Sequence, residues 1–440
     1  MRSHLVNSAI GALDYLVYPI GMLFLAPAIL REFGVEKYGV WALAGATLNT
    51  GAILASGFGD ASVRAVAIAL AKNDRDELLE LVRSSFGIHI GLGIFFAMIG
   101  WLIAPAIARF STSTSGDLYR DCLWSLRIAS LCTVIRAVET VCVSTQRAFL
   151  RYGAAIQFSL AARLLSLLAA ALIPFLVQSV SAVVAFSLAI SAVSLWLQIN
   201  ALNHLLGIGF ISPILASGKA KELLSFGGYT WVQSAAALMF GQVDRIYVGV
   251  ALGAAAVTPY VFCIQLTQPI YGIAASGLHF LFPYLAGHTE ESGWNRIKRS
   301  VVLATLLNGA FVTVALVLMI VFGTRILLLW GGPIVASIGA PLLPTITWTA
   351  ALPAFAVTGT YALLAIGRPR SVAALHVAGG LAMIVALPLL SPHLGLAGIA
   401  YSRLAFGVAV SAVYIPLYFN LKSKADTRRL HPDASVCEET

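Results

Sequence analysis

Apolar residues run along this chain in blocks of roughly twenty, the length an α-helix needs to cross about 30 Å of hydrocarbon. Twelve such spans can be drawn: 8–30, 39–61, 86–107, 120–144, 154–177, 181–205, 226–249, 257–282, 301–321, 342–364, 372–390 and 397–419. The even number puts both termini on one side. The connections are short, and the longest on the far side, Phe322 to Pro341 with its GGP and GAP turns, holds about twenty residues. Nothing outside the membrane is long enough to fold as a catalytic domain. The pattern predicts an all-α polytopic membrane protein.

Two polar links stand at matching places, KNDRDELLELVR from Lys72 to Arg83 and HTEESGWNRIKR from His288 to Arg299. Each follows the second span of a group of six. The stretch FGVEKYGVWAL from Phe33 also lines up with LGAAAVTPYVF from Leu252, a glycine followed seven residues later by an aromatic. The expectation is two pseudo-symmetric six-helix bundles, 1–215 and 216–421, related by an axis along the membrane normal, and a polar cytoplasmic tail over 422–440.

Composition agrees with this reading and narrows it. With 59% hydrophobic and 11% charged residues and a mean hydropathy of +0.88, the chain departs from soluble domains, which hold about 25% charged residues. The net charge of +9 would suggest nucleic acid in a soluble protein. Here, seventeen lysines and arginines fall on the side of the termini and five on the other. Because such residues near span ends stay in the cytoplasm, both termini are expected there and no nucleic-acid partner is called for. The opening MRSHLVNSAIGALDYLVYPIG reads as a retained first span, since Asp14 interrupts its apolar run and no small-residue cleavage site closes it. The five cysteines form no CxxC pair, which argues against a metal site or a disulfide framework. The absence of a Walker A or GxSxG pattern argues against ATP hydrolysis, and no cofactor is expected.

The chemistry lies in charges within the spans. An ionisable group in a bilayer costs several kcal/mol and normally faces a partner or a water-filled cavity. All six basic residues inside the spans are arginine: Arg64, Arg127, Arg136, Arg163, Arg245 and Arg403. Against Asp14, Asp60, Glu139 and Asp244 they leave a surplus of two positive charges. Guanidinium keeps its charge and holds phosphate oxygens in a bidentate fork, so the surplus suits an anionic cargo. Asp60 and Arg64, four apart, and Arg136 and Glu139, three apart, can each pair on one helix face. Asp244 and Arg245 are adjacent and point about 100° apart, so each must find a partner on another helix or meet water. Arg127 shares a face with Arg120, and its simplest reading is a side chain that snorkels to the surface. His89, His279 and His376 lie in apolar runs, where a hydrogen-bonded packing role is the first reading and proton relay the second.

The hairpin FGVEKYGVWAL, the segment GFGDASVR from Gly57 to Arg64, and QVDRIYVGVALGAAAVTPYVF from Gln242 resemble the polysaccharide transporter family. That family includes lipid-linked O-antigen flippases, within the multidrug, oligosaccharidyl-lipid and polysaccharide exporter superfamily. The resemblance implies alternating access and a cationic central cavity. It also implies coupling to a proton or sodium gradient, and movement of an undecaprenyl-pyrophosphate-linked oligosaccharide for lipopolysaccharide or a related glycan. The implied partners are that lipid-linked substrate, membrane lipids and glycan polymerase or ligase machinery, and the implied location is the bacterial inner membrane. On this reading Arg136, Arg163 and Arg245, followed by Arg64 and Arg403, are candidate anion contacts. Asp60, Glu139 and Asp244 are candidates for ion coupling or charge pairing. A cation-coupled drug antiporter is the competing function. A membrane glycan polymerase or ligase is a weaker one, because those enzymes carry a sizeable outer loop.

Overall fold

A computed structural model describes residues 2–56, 59–112, 116–149, 151–214, 228, 231, 232, 235, 239–278, 281, 285 and 294–419. The side chains of Asp14, Asp60 and Arg64, and the whole of His279 and Cys437, lie outside the described parts. Every regular element among the described residues is helical. They are α1 (Arg2–Ser56), α2 (Gly59–Ala71), α3 (Arg75–Ser111), α4 (Asp117–Ala148), α5 (Tyr152–Leu172) and α6 (Val180–Leu206). A π-helical turn, Met239–Val243, leads into α7 (Asp244–Leu252), followed by α8 (Ala254–Gly277), α9 (Trp294–Gly339), α10 (Leu343–Ala365) and α11 (Pro369–Ser411). Six described helical segments are long and apolar enough to cross a membrane, among them Arg75–Ser111, Val180–Leu206 and Leu343–Ala365. Large apolar side chains point outward, with Leu102 72%, Leu176 86% and Leu329 89% exposed, as lipid-facing surface requires. The chain is an all-α multi-pass membrane protein.

Several of the longest helices are two helical arms joined at one glycine. α1 breaks at Gly34 (φ 72°, ψ 176°), α9 at Gly332 (φ 78°, ψ 177°) and α11 at Gly395 (φ 56°, ψ −133°), a region that an L side chain enters only at a penalty. Gly253, between α7 and α8, has φ 88° and ψ 163°, close to Gly34, the residue it aligns with in sequence. The two glycines aligned in sequence thus make turns of similar backbone shape.

The Gly332 turn corrects one expectation. The residues from Phe322 to Pro341 are not a loop of about twenty residues, since α9 continues as helix to Gly332 and resumes at once with Pro333. The run RILLLW favours helix and stays apolar, and proline is well placed at the start of the second arm.

The chain divides into two compact units, residues 1–265 with 327–339, and residues 266–326 with 340–440. In the first unit α4 is central and touches α1, α2, α3, α5 and α6. Many of its buried residues are small or polar, including Ser125, Ser130, Thr133, Ser144 and Thr145. Helices come close through such residues where lipid supplies no hydrophobic drive between them. Gly93 and Gly100 of α3 lie against Val134 and Ser130 of α4, while Gly51 and Gly59 lie against Thr133 and Thr140. An apolar cluster with Val66, Leu81, Phe86, Val141 and Leu202 fills the space among α2, α3, α4 and α6. In the second unit Ile270, Val312, Leu316, Ala354 and Val357 join α8, α9 and α10, and Asn308 Nδ2 donates to the Ala354 carbonyl at 2.8 Å. Ser411 Oγ donates to the Leu352 carbonyl at 3.2 Å and ties α11 to α10.

The two glycine hairpins meet reciprocally inside the first unit. Gly39, five residues after Gly34, sits against the carbonyl of Ala254, where any Cβ would overlap it. Thr258, five residues after Gly253, donates from Oγ1 to the carbonyl of Val35 at 2.6 Å. Val35 and Ala254 each directly follow their turn glycine, so the same two positions of each repeat touch the other repeat. Beside this contact Tyr38 packs on Phe262 at 5.1 Å and Phe262 on Trp330 at 4.6 Å, and Trp330 Nε1 donates to the Leu23 carbonyl at 2.6 Å.

Candidate functional site

α4 carries three of the charges singled out in the sequence, and two of them pair. Arg136 Nη1 and Glu139 Oε2 lie 2.7 Å apart, one helical turn from each other, with side chains 18% and 8% exposed. The second carboxylate oxygen, Oε1, accepts a hydrogen bond at 3.1 Å from Nε2 of Gln198, a fully buried residue of α6. A low dielectric strengthens such a pair and makes each partner expensive to leave alone. The α2 backbone runs alongside, since Gly59 touches Thr140 and Ser144. Asp60 and Arg64 lie on that helix. Gln198 was missed in the sequence, although an amide inside an apolar span (SLWLQIN) is the same kind of signal as a charge.

Asp244 and Arg245 take different environments, as adjacent helical positions dictate. Asp244 is fully buried, and its Oδ2 accepts from the hydroxyl of Tyr260 on α8 at 2.6 Å. Arg245 is half-buried and its Nε has no hydrogen-bond acceptor among the described residues. The π-helical turn at Met239–Val243 inserts an extra residue just before them and sets the angle at which α7 presents both. Gly249 seats α7 against Leu43 of α1, and Trp231 Nε1 donates to the Leu54 carbonyl at 2.9 Å. Tyr260, the aromatic of the repeated hairpin, is the partner that the sequence alone did not identify.

The remaining candidates are dispersed. Arg163 is half-buried on α5 and engages in an interaction there, while Arg403 is 5% exposed in the second unit and likewise engaged. Of the three candidate histidines, the two that are described bond to the carbonyl one turn earlier, His89 to Ser85 and His376 to Val372, each at 2.8 Å. The four described cysteines are buried and none of them is in a disulfide. Asp121 was not anticipated at all. Its carboxylate accepts from Ser179 Oγ (2.8 Å), Val180 N (2.7 Å) and Ser181 N (2.8 Å) and closes the start of α6.

A family model described as polysaccharide biosynthesis protein matches residues 31–331. The chain belongs to that family. The membrane protein EpsK of Bacillus subtilis, itself uncharacterized, is 20% identical over 429 residues, covering 94% of this chain and 82% of EpsK. Among solved structures, the inward-facing conformation of a multidrug resistance MATE family transporter of the MOP superfamily covers 94% of this chain and 99% of its own. It does so at a TM-score of 0.72 and 14% identity. A MOP superfamily transporter from Pyrococcus furiosus, described by a reverse polarity of its binding pocket, matches at 0.55 and 14%, covering 97% of this chain and 94% of its own. At such identities the likeness shows the fold, and the fold is that of membrane transporters. A polysaccharide-family chain in a transporter fold agrees with the resemblance carried by the hairpin motifs.

Proposed function

We propose that the protein is a flippase that moves an undecaprenyl-pyrophosphate-linked oligosaccharide across the bacterial inner membrane by alternating access between two six-helix bundles, 1–215 and 216–421. Membership of a polysaccharide biosynthesis family, in a chain folded as a transporter, is the observation that carries this reading. Guanidinium groups would hold the pyrophosphate while the isoprenoid tail stays in lipid. Arg245 leads this set, because its Nε is buried without an acceptor among the described residues and the adjacent Asp244 is engaged by Tyr260. Arg163, Arg64 and Arg403 complete it. Arg136 acts in exchange with Glu139: in the empty carrier the carboxylate occupies the guanidinium, and an incoming phosphate oxygen displaces it. An empty carrier with this pair closed returns without an uncompensated charge in the membrane. Asp60, Glu139 and Asp244 are the carboxylates through which a proton or sodium gradient would act. The termini face the cytoplasm in this scheme, in keeping with the excess of lysine and arginine on their side.

The test is complementation of a deletion strain. Alanine at Arg136, Arg163 and Arg245 together is expected to abolish surface glycan while the protein still reaches the membrane. Normal glycan from that variant would sink the anion-site assignment. A second reading, a cation-coupled drug antiporter, draws on the fully buried Asp244 carboxylate. It predicts a deletion strain with altered drug susceptibility and unchanged glycan.

A further inference from the structure

Arg127 departs from the rule that membrane charges face inward. Along α4 the residues Arg120, Trp124, Arg127 and Leu131 recur at helical spacing, and Arg120, Trp124 (45%) and Leu131 (43%) are exposed. Arg127 is half-buried on this same lipid-facing strip. Its guanidinium lies over two indoles, 4.9 Å from the Trp101 ring and 5.4 Å from the Trp124 ring, and these two rings meet edge to face at 6.4 Å. Close packing of Gly100 on Ser130 brings α3 and α4 near enough for this three-way contact. An aromatic face receives the charge but none of the hydrogen bonds that the five guanidinium N–H groups can give. The Nε is buried and has no acceptor among the described residues.

Arg127 stands ten residues, about 15 Å, inside the start of α4, and helical side chains lean toward the N-terminus. The guanidinium therefore leans toward the level where headgroups meet acyl chains, on the side of the α3–α4 turn. Snorkelling alone brings the charge to that level but supplies no partner there. The chemistry that fits a forked cation resting on two indole rings, on a strip of exposed side chains, is an oxyanion carried by a lipid.

We infer that Arg127, Trp101 and Trp124 form a binding site on the outside of the bundle for the phosphate of an anionic phospholipid. This site is separate from any substrate path, and it does not depend on which way the protein is oriented.

The test uses the full chain, purified in a mild detergent and stripped of lipid. Native mass spectrometry follows binding of phosphatidylglycerol, of diacylglycerol with the same acyl chains, and of sodium phosphate. One phosphatidylglycerol per chain is expected to be held about tenfold more weakly in Arg127→Gln, the loss due to one charge-assisted bidentate contact, and about threefold more weakly in Trp124→Leu, which loses an indole that positions the guanidinium. Trp124→Leu changes a half-exposed residue and carries the test should Arg127→Gln not fold. Unchanged retention in the folded variants would overturn the proposal. Equal retention of diacylglycerol would reduce the site to acyl adhesion, and equal binding of sodium phosphate would assign it to a free anion; either result overturns it.

Discussion

At the level of single residues, the intramembrane charges differ in what the surrounding helices give them, and this difference sets their expected behaviour. Glu139 is held from two sides, by Arg136 on its own helix and by Gln198 on α6. Arg136→Ala should therefore destabilise the protein by about 3 kcal/mol, the low end for breaking a buried pair, because the arginine keeps some exposure. The double change Arg136→Ala with Glu139→Ala should recover most of that loss. Thermal unfolding in detergent reads both, and a double variant no better than the single would show that the pair is not the cause. Tyr260→Phe removes a donor from the fully buried Asp244, a hydrogen bond to a charged group, and should lower stability by about 2 kcal/mol. Asp244→Asn keeps an acceptor for Tyr260 and should lose less; the reverse order would mean that the hydroxyl is idle. The 3-residue spacing made the Arg136–Glu139 pair legible in the sequence. The roles of Gln198, Tyr260 and Asp121 were not, because Gln198 lies 59 residues from its partner, the segments closed by Asp121 begin 58 residues away, and Tyr260 sits across a turn.

Among elements, the hairpins carry the clearest message. Gly34 and Gly253 were aligned by sequence spacing, and their backbones turn at nearly the same angles. Gly332 was read as part of a loop, because two glycines before a proline signal a turn, and the sequence does not say that one residue suffices to make it. The reciprocal contact of the hairpins gives a sharp comparison within α1. Gly45 has open space around its Cβ position, whereas Gly39 faces the Ala254 carbonyl. Gly45→Ala should raise stability by about 1 kcal/mol through helix propensity. Gly39→Ala should lower it by about 2 kcal/mol or more, since backbone must shift to make room. Paired thermal melts check this, and equal effects of the two changes would deny the close approach.

For the whole molecule, the hydrophobic blocks alone disclosed a multi-pass helical protein, and the hairpin motifs disclosed its family. What they could not disclose is how charges on separate helices are partnered, since that depends on helix rotation and on insertions such as the π turn before Asp244. Movement of an anionic lipid-linked glycan past the intramembrane arginines is the proposed function. The most direct measurement places the purified protein in sealed vesicles with a fluorescent undecaprenyl-pyrophosphate oligosaccharide in one leaflet, and follows its appearance in the other. Translocation well above that of protein-free vesicles is expected, reduced about tenfold or more by Arg245→Ala through loss of one charged phosphate contact. Translocation no faster than in empty vesicles, or unchanged by Arg245→Ala together with Arg136→Ala and Arg163→Ala, would contradict it.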